Sequence, residues 1–175
     1  MANTKLLTLM SEIITEVGDL QNIQPYQWTK KSDTRYDFNV IYADDTFRGT
    51  VMLSKLSDEE RSLMKFNPVV QPEKADSIVN MGYTINGTSS QHVVTNFKVL
   101  IRILKTVSDI IEHQIQSFPN SIFTIFEESK LDKVEPAQKS KLYQAIMTQN
   151  MLPGYRGSTV RYLNYQGYSI SPIYK

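Results

Sequence analysis

Residues 93–116, VVTNFKVLIRILKTVSDIIEHQIQ, carry the pattern that decides the fold. Phe97, Leu100, Ile101, Leu104, Val107, Ile111 and Ile115 recur at three- and four-residue steps and so share one side of a helix, while Lys98, Arg102, Lys105, Asp109 and Glu112 repeat on the other. Val94, Val99, Ile103 and Ile110 widen the apolar side. A helix this broadly apolar on one face is expected to cover a sheet, and Phe118-Pro119-Asn120 ends it.

The flanking segments supply the strands. Val79, Met81, Tyr83 and Ile85 alternate, and Asn86-Gly87 is a turn signal at the end of that run. On the other side, Ile122 to Phe126 is a short apolar run without polar alternation, expected as a strand buried on both faces. The long helix therefore crosses over between these two strands. Upstream, Tyr36, Phe38, Val40 and Tyr42 alternate, as do Phe47, Val51 and Leu53, with Asp44-Asp45 between them; this predicts an antiparallel hairpin. Ser57 and Glu60 form a capping box that opens a short helix ending near Phe66. Asn67 to Glu73 is a loop.

Toward the N-terminus, Leu6, Met10, Ile13 and Val17 predict a docking helix, followed by an irregular segment from Gly18 to Lys31. Downstream, Glu127 to Glu135 reads as a polar loop and a helix starts near Pro136, with Leu142, Tyr143, Ile146 and Met147 as its apolar stripe. Two closing strands are expected near Thr159 to Asn164 and Tyr168 to Ile173, joined at Gln166-Gly167. The sum is an α+β (α/β) fold: a mixed, mainly antiparallel sheet covered by one long amphipathic helix and a second, C-terminal helix. Residues 1–175 are expected to form one domain, with 1–31 as docking helix and irregular segment and 32–175 as the sheet-and-helix core.

Composition narrows the function classes. With 41% hydrophobic and 21% charged residues the chain has the make-up of a folded globule. It has no cysteine, hence neither disulfides nor thiolate chemistry, and Glu12 and Glu16 interrupt the apolar pattern of the first residues, which read as neither a secretory leader nor a membrane span. The net charge of +1 lacks the basic excess of a dedicated nucleic-acid binder. From Ser129 to Lys175, however, seven basic residues face two acidic ones.

Catalytic constellations are sparse. His92 and His113 are the two histidines, so no metal site is expected. His92 beside Ser89 and Ser90 is a poor nucleophile–base pair, since adjacent residues rarely reach each other. The connection Gly87-Thr88-Ser89-Ser90-Gln91 enters a helix, where backbone amides favour anions, but it has one glycine where a tight phosphate cradle wants several. The richest cluster is C-terminal: Tyr155, Tyr162, Tyr165 and Tyr168 interleave with Arg156 and Arg161, residue types that serve protein interfaces and can also hold single-stranded nucleic acid.

The predicted element order resembles that of the GNAT acyltransferases. That family holds the pyrophosphate of acetyl-CoA on an R/Q-x-x-G-x-G/A loop before the long helix; here Gln91 is followed by His92-Val93-Val94-Thr95-Asn96, without glycine. The resemblance implies Gly87, Ser89, Ser90 and Gln91 at the cofactor loop and Tyr143 as general acid, should the chain be an acyltransferase. A resemblance spanning more of the chain is to a family of uncharacterised bacteriophage proteins, on Glu16-Val17-Gly18-Asp19-Leu20, Pro25-Tyr26-Gln27-Trp28, Tyr83-Thr84-Ile85-Asn86-Gly87, Val107-Ser108-Asp109-Ile110-Ile111, Phe126-Glu127-Glu128-Ser129-Lys130 and Lys139-Ser140-Lys141-Leu142-Tyr143. The resemblance implies a phage origin and no particular reaction; with the sparse catalytic signals, the balanced charge and the tyrosine-rich closing strands, the expectation is a non-enzymatic phage protein in the host cytoplasm or the virion. Such a protein needs no cofactor and no membrane, and contacts other phage proteins, with nucleic acid ranked behind them.

Overall fold

The computed structural model describes residues 22–42, 44–86, 88–89, 97–130, 144–149 and 151–175. Its centre is one sheet in the order β1-β2-β3-β5-β7-β9-β8-β4, with a short β6 joined to β5. The strands are β1 (Trp28–Ser32), β2 (Arg35–Tyr42), β3 (Asp45–Lys55), β4 (Met64–Phe66), β5 (Ser77–Ile85), β6 (Thr88–Ser89), β7 (Ser121–Lys130), β8 (Tyr155–Tyr162) and β9 (Tyr165–Pro172). The helices are α1 (Asp58–Leu63), α2 (Phe97–Ser117) and α3, residues 144–149. The fold is mixed α+β with a mainly antiparallel sheet. Among the described pairings only β5 and β7 run parallel, from Ser77↔Ser121 to Met81↔Ile125. Parallel neighbours need a long crossover, and α2 lies within it.

Helix α2 buries Ile101, Ile103, Leu104, Val107, Ile110 and Ile111 against Tyr36, Phe38, Val51, Met81, Phe123, Ile125 and Ile170 of the sheet. Its polar side is also occupied. Residues 22–27 run along it: Lys105 Nζ donates to the Ile23 carbonyl (2.6 Å) and Arg102 Nε to that of Gln24 (3.0 Å). The Tyr26 amide donates to Thr106 Oγ1 (2.9 Å), and the Arg102 guanidinium sits over the Tyr26 ring at 4.1 Å. Trp28 continues this strap, donating from Nε1 to Asp109 (2.7 Å) and packing edge-on against Tyr36.

Several boundaries differ from the sequence expectation. Trp28–Ser32 is not irregular but an edge strand; four of its five residues are exposed, so burial imposes no alternation on them. The capping box is present, with Ser57 Oγ accepting from the Glu60 amide and Glu60 accepting from the Ser57 amide, but α1 stops at Leu63. Met64–Phe66 then pairs with β8 instead of extending the helix. Glu127 to Lys130 belongs to β7, not to a loop. The closing hairpin turns at Leu163-Asn164, and Gln166-Gly167 lies inside β9. Gly167 serves packing instead: a Cβ there would sit 2.4 Å from the Ile125 carbonyl oxygen. The N-terminal docking helix and the predicted start of the second helix near Pro136 lie outside the described residues.

Candidate interaction surface

The six C-terminal residues singled out in the sequence divide between the two faces of the β8–β9 hairpin. Residues opposite each other in an antiparallel ladder share a face. The register Thr159↔Tyr168 therefore places Tyr155, Arg161 and Tyr168 on the side that meets the helices, and Val160↔Gly167 places Arg156, Tyr162 and Tyr165 on the other.

Tyr168 is 4% exposed, so it is a core residue and not a contact surface. Its ring lies against Gly157, where a Cβ would fall 1.6 Å from the hydroxyl, and that hydroxyl shares a hydrogen bond with Thr148 of α3 (3.1 Å). Burial pushes the Tyr168 phenol above its ordinary pKa, against the hydrogen bond to Thr148. Tyr155 is half-buried and donates to the Pro119 carbonyl (2.7 Å), tying β8 to the end of α2. Arg156, Tyr162 and Tyr165 are half-exposed and Arg161 exposed. Phe126 joins Tyr162 at a ring separation of 6.0 Å. The available part of the predicted cluster is thus Arg156, Arg161, Tyr162 and Tyr165.

The residues expected at an acyltransferase site are placed only in part. Gly87, Ser90, Gln91 and Tyr143 lie outside the described residues. The backbone of Ser89 is in β6, paired with Thr84, as Thr88 is with Ile85. Strand β3 already holds the other edge of β5 as far as Ile85, so β6 lies on the β7 side. The β5–β7 ladder ends at Met81↔Ile125, and the β5 backbone beyond it, at Thr84 and Ile85, is met by β6.

Two further features were not anticipated. On β2 and β3, Asp37 is 8% exposed and accepts from Arg35 (2.9 and 3.2 Å), from Arg48 Nη2 and from Thr50 Oγ1 (3.2 Å). These bonds, Arg35 foremost and against the effect of burial, hold the Asp37 carboxyl at about 2. The carboxylate is saturated and its role is structural; the alternation of Arg35, Asp37 and Asn39 with apolar residues was the signal for an opposite polar face. The second feature is a cleft of about 430 Å³ at the C-terminal end of α2, lined by Leu53, Lys55, Asp76, Val79, Gln114 and Phe118 among others. Lys55 and Asp76 offset each other there, and the Asp33 carboxylate is engaged by Lys30 (2.8 Å), so the lining selects no ligand charge.

Among the described residues no group of three or more His, Asp or Glu could hold a metal ion, and no helix is long and apolar enough to cross a membrane. No known protein family, curated protein or solved structure matches the chain.

Proposed function

We propose that this is a non-enzymatic bacteriophage protein acting through protein–protein contacts, as a virion structural or accessory component, built on a GNAT-like order of strands and helices. The observation that carries the contact role is the outer end of the sheet: β4, β8 and β9 contain Lys65, Arg156 and Arg161 and no acidic residue, with Tyr162 and Tyr165 half-exposed beside them. Tyrosine and arginine are what protein interfaces are enriched in, and Arg156, Tyr162 and Tyr165 share one face of the hairpin while Arg161 and Lys65 lie on the other. The phage origin rests on the sequence resemblance. Support for the GNAT-like order comes from the parallel pair β5 and β7 flanking α2, followed by α3 and the β8–β9 hairpin. Mass spectrometry of purified particles of the encoding phage tests the proposal: the chain is expected at a fixed copy ratio to the major structural proteins, and its absence overturns the virion role.

The second reading, an acyltransferase with an altered cofactor loop, draws on that same parallel pair. The β6 pairing to Thr84 and Ile85 counts against it, since it occupies backbone that a ligand entering between the strands would need. Millimolar acetyl-CoA raises the melting temperature if this reading holds, because a ligand well above its Kd stabilises the native state. An unmoved transition removes it.

A further inference from the structure

Two local costs coincide at the tip of the β8–β9 hairpin. Leu163 opens the two-residue turn with φ of 51°. A bulky side chain rarely adopts that conformation, and glycine is the residue that takes it freely. Leu163 gains little by packing in return, because it is 61% exposed. One residue pair inward, Tyr162 is opposite Met64, so Leu63, 45% exposed, comes up beside the same turn. The next pair is Lys65↔Arg161, two cations directly across a ladder, where like charges repel. Both are exposed, and neither has an ion pair among the described residues. Among the described residues neither cost is offset, the leucine by burial or the facing cations by an ion pair.

We propose that Leu63, Leu163, Lys65 and Arg161 dock an acidic segment of a partner protein that carries an apolar side chain. The inference rests on the protein-contact reading and gives that contact a place and a chemistry. Carboxylates of the partner relieve the Lys65–Arg161 repulsion, and its apolar side chain covers the two leucines. Single-stranded nucleic acid would also meet the cations, but an aliphatic leucine offers a base no ring to stack on, so the protein partner fits better.

The test is fluorescence anisotropy with three labelled probes: a short peptide alternating glutamate with leucine, its lysine-for-glutamate counterpart, and oligothymidylate. The wild-type chain is expected to bind the acidic peptide saturably, more weakly as salt rises, and to leave the basic peptide free. Leu163→Asn, which tolerates the positive φ, should weaken binding about tenfold without lowering the melting temperature, and Leu163→Met should restore it. Arg161→Glu should weaken it at least as much. Absence of binding to the acidic peptide, or binding that Leu163→Asn and Arg161→Glu leave intact, overturns the proposal. So does preferential binding of oligothymidylate that Leu163→Asn leaves unchanged. Particle incorporation is measured separately: a chain present in particles that ignores the peptide loses this inference alone, and one that binds the peptide but is absent from particles loses the virion role alone.

Discussion

On the face that meets α2, strands β2, β3, β5, β7 and β9 contribute Tyr36, Val51, Met81, Phe123 and Ile170. On the opposite face the same strands contribute Asp37, Thr50, Asn80, Thr124 and Ser169, beside a smaller apolar cluster in which Ile78 and Ile122 are buried with Val70 and Ala75. The first set is held by burial, which has no direction and tolerates swaps of similar volume. The polar residues of the second are held by specific partners: Asp37 with two arginines and Thr50, Thr124 Oγ1 with Asn80 Oδ1 (3.2 Å), Ser158 with Ser169 (3.1 Å). A slip of one residue would turn every side chain to the wrong face. The apolar face thus supplies most of the stability, and the polar face makes the register unique.

The largest effect should come from the apolar face. Phe123→Ala empties a site that is 1% exposed, with an expected loss of about 4 kcal/mol in urea unfolding. A loss much below this would mean that α2 settles into the gap. On the polar face, Asp37 gives a pH signature. Its carboxyl titrates at about 2 in the native state against an ordinary 3.8, so the unfolded chain binds the proton more readily. The contribution, about 2 kcal/mol, is complete above about pH 5 and disappears as the pH falls through about 2. Thermal melts of the wild type and Asp37→Asn should therefore differ at neutral pH and converge in acid. Thr124→Val keeps the shape and leaves Asn80 short of one partner, for a loss of about 1 kcal/mol. If it instead equals Phe123→Ala, the division of labour between the faces fails. The smallest effect has the opposite sign: Leu163→Gly relieves the turn and, after the added freedom of the unfolded chain, should gain about 0.5 kcal/mol.

How far the sequence is legible follows from which forces act on each segment. The β2–β3 hairpin, β5 and the apolar side of α2 are written in strong periodicity because each presents one face to a large core. The buried run of β7 is equally plain, and the α1 cap is a local chemical pattern that needs no tertiary context. Strand β1 is hidden because an exposed edge leaves its residues free to be polar, and β4 because three residues are too few to alternate. Gln166-Gly167 misleads because a glycine can mark close packing between strands as well as a turn. Of the six aromatic and basic candidates, composition could not separate Tyr168 from its neighbours. The register puts Arg161 on the same face as Tyr168, and it is packing against the helices that buries Tyr168 while Arg161, at the end of the hairpin, stays exposed.

The single parallel ladder has a consequence for the order of assembly. Hairpins β2–β3 and β8–β9 close over short loops and can form as soon as their residues are available. Ser77 and Ser121, whose hydroxyls meet at 2.9 Å, are 44 residues apart, with α2 between them. Loop closure over that span comes before the contacts that reward it, which makes the joining of β5 to β7 the slow event. During synthesis, the first half of the sheet therefore emerges with Tyr36, Val51 and Met81 uncovered until α2 is made. A nascent chain halted after Ile85 would expose that surface and is the form in which chaperone dependence and aggregation should concentrate.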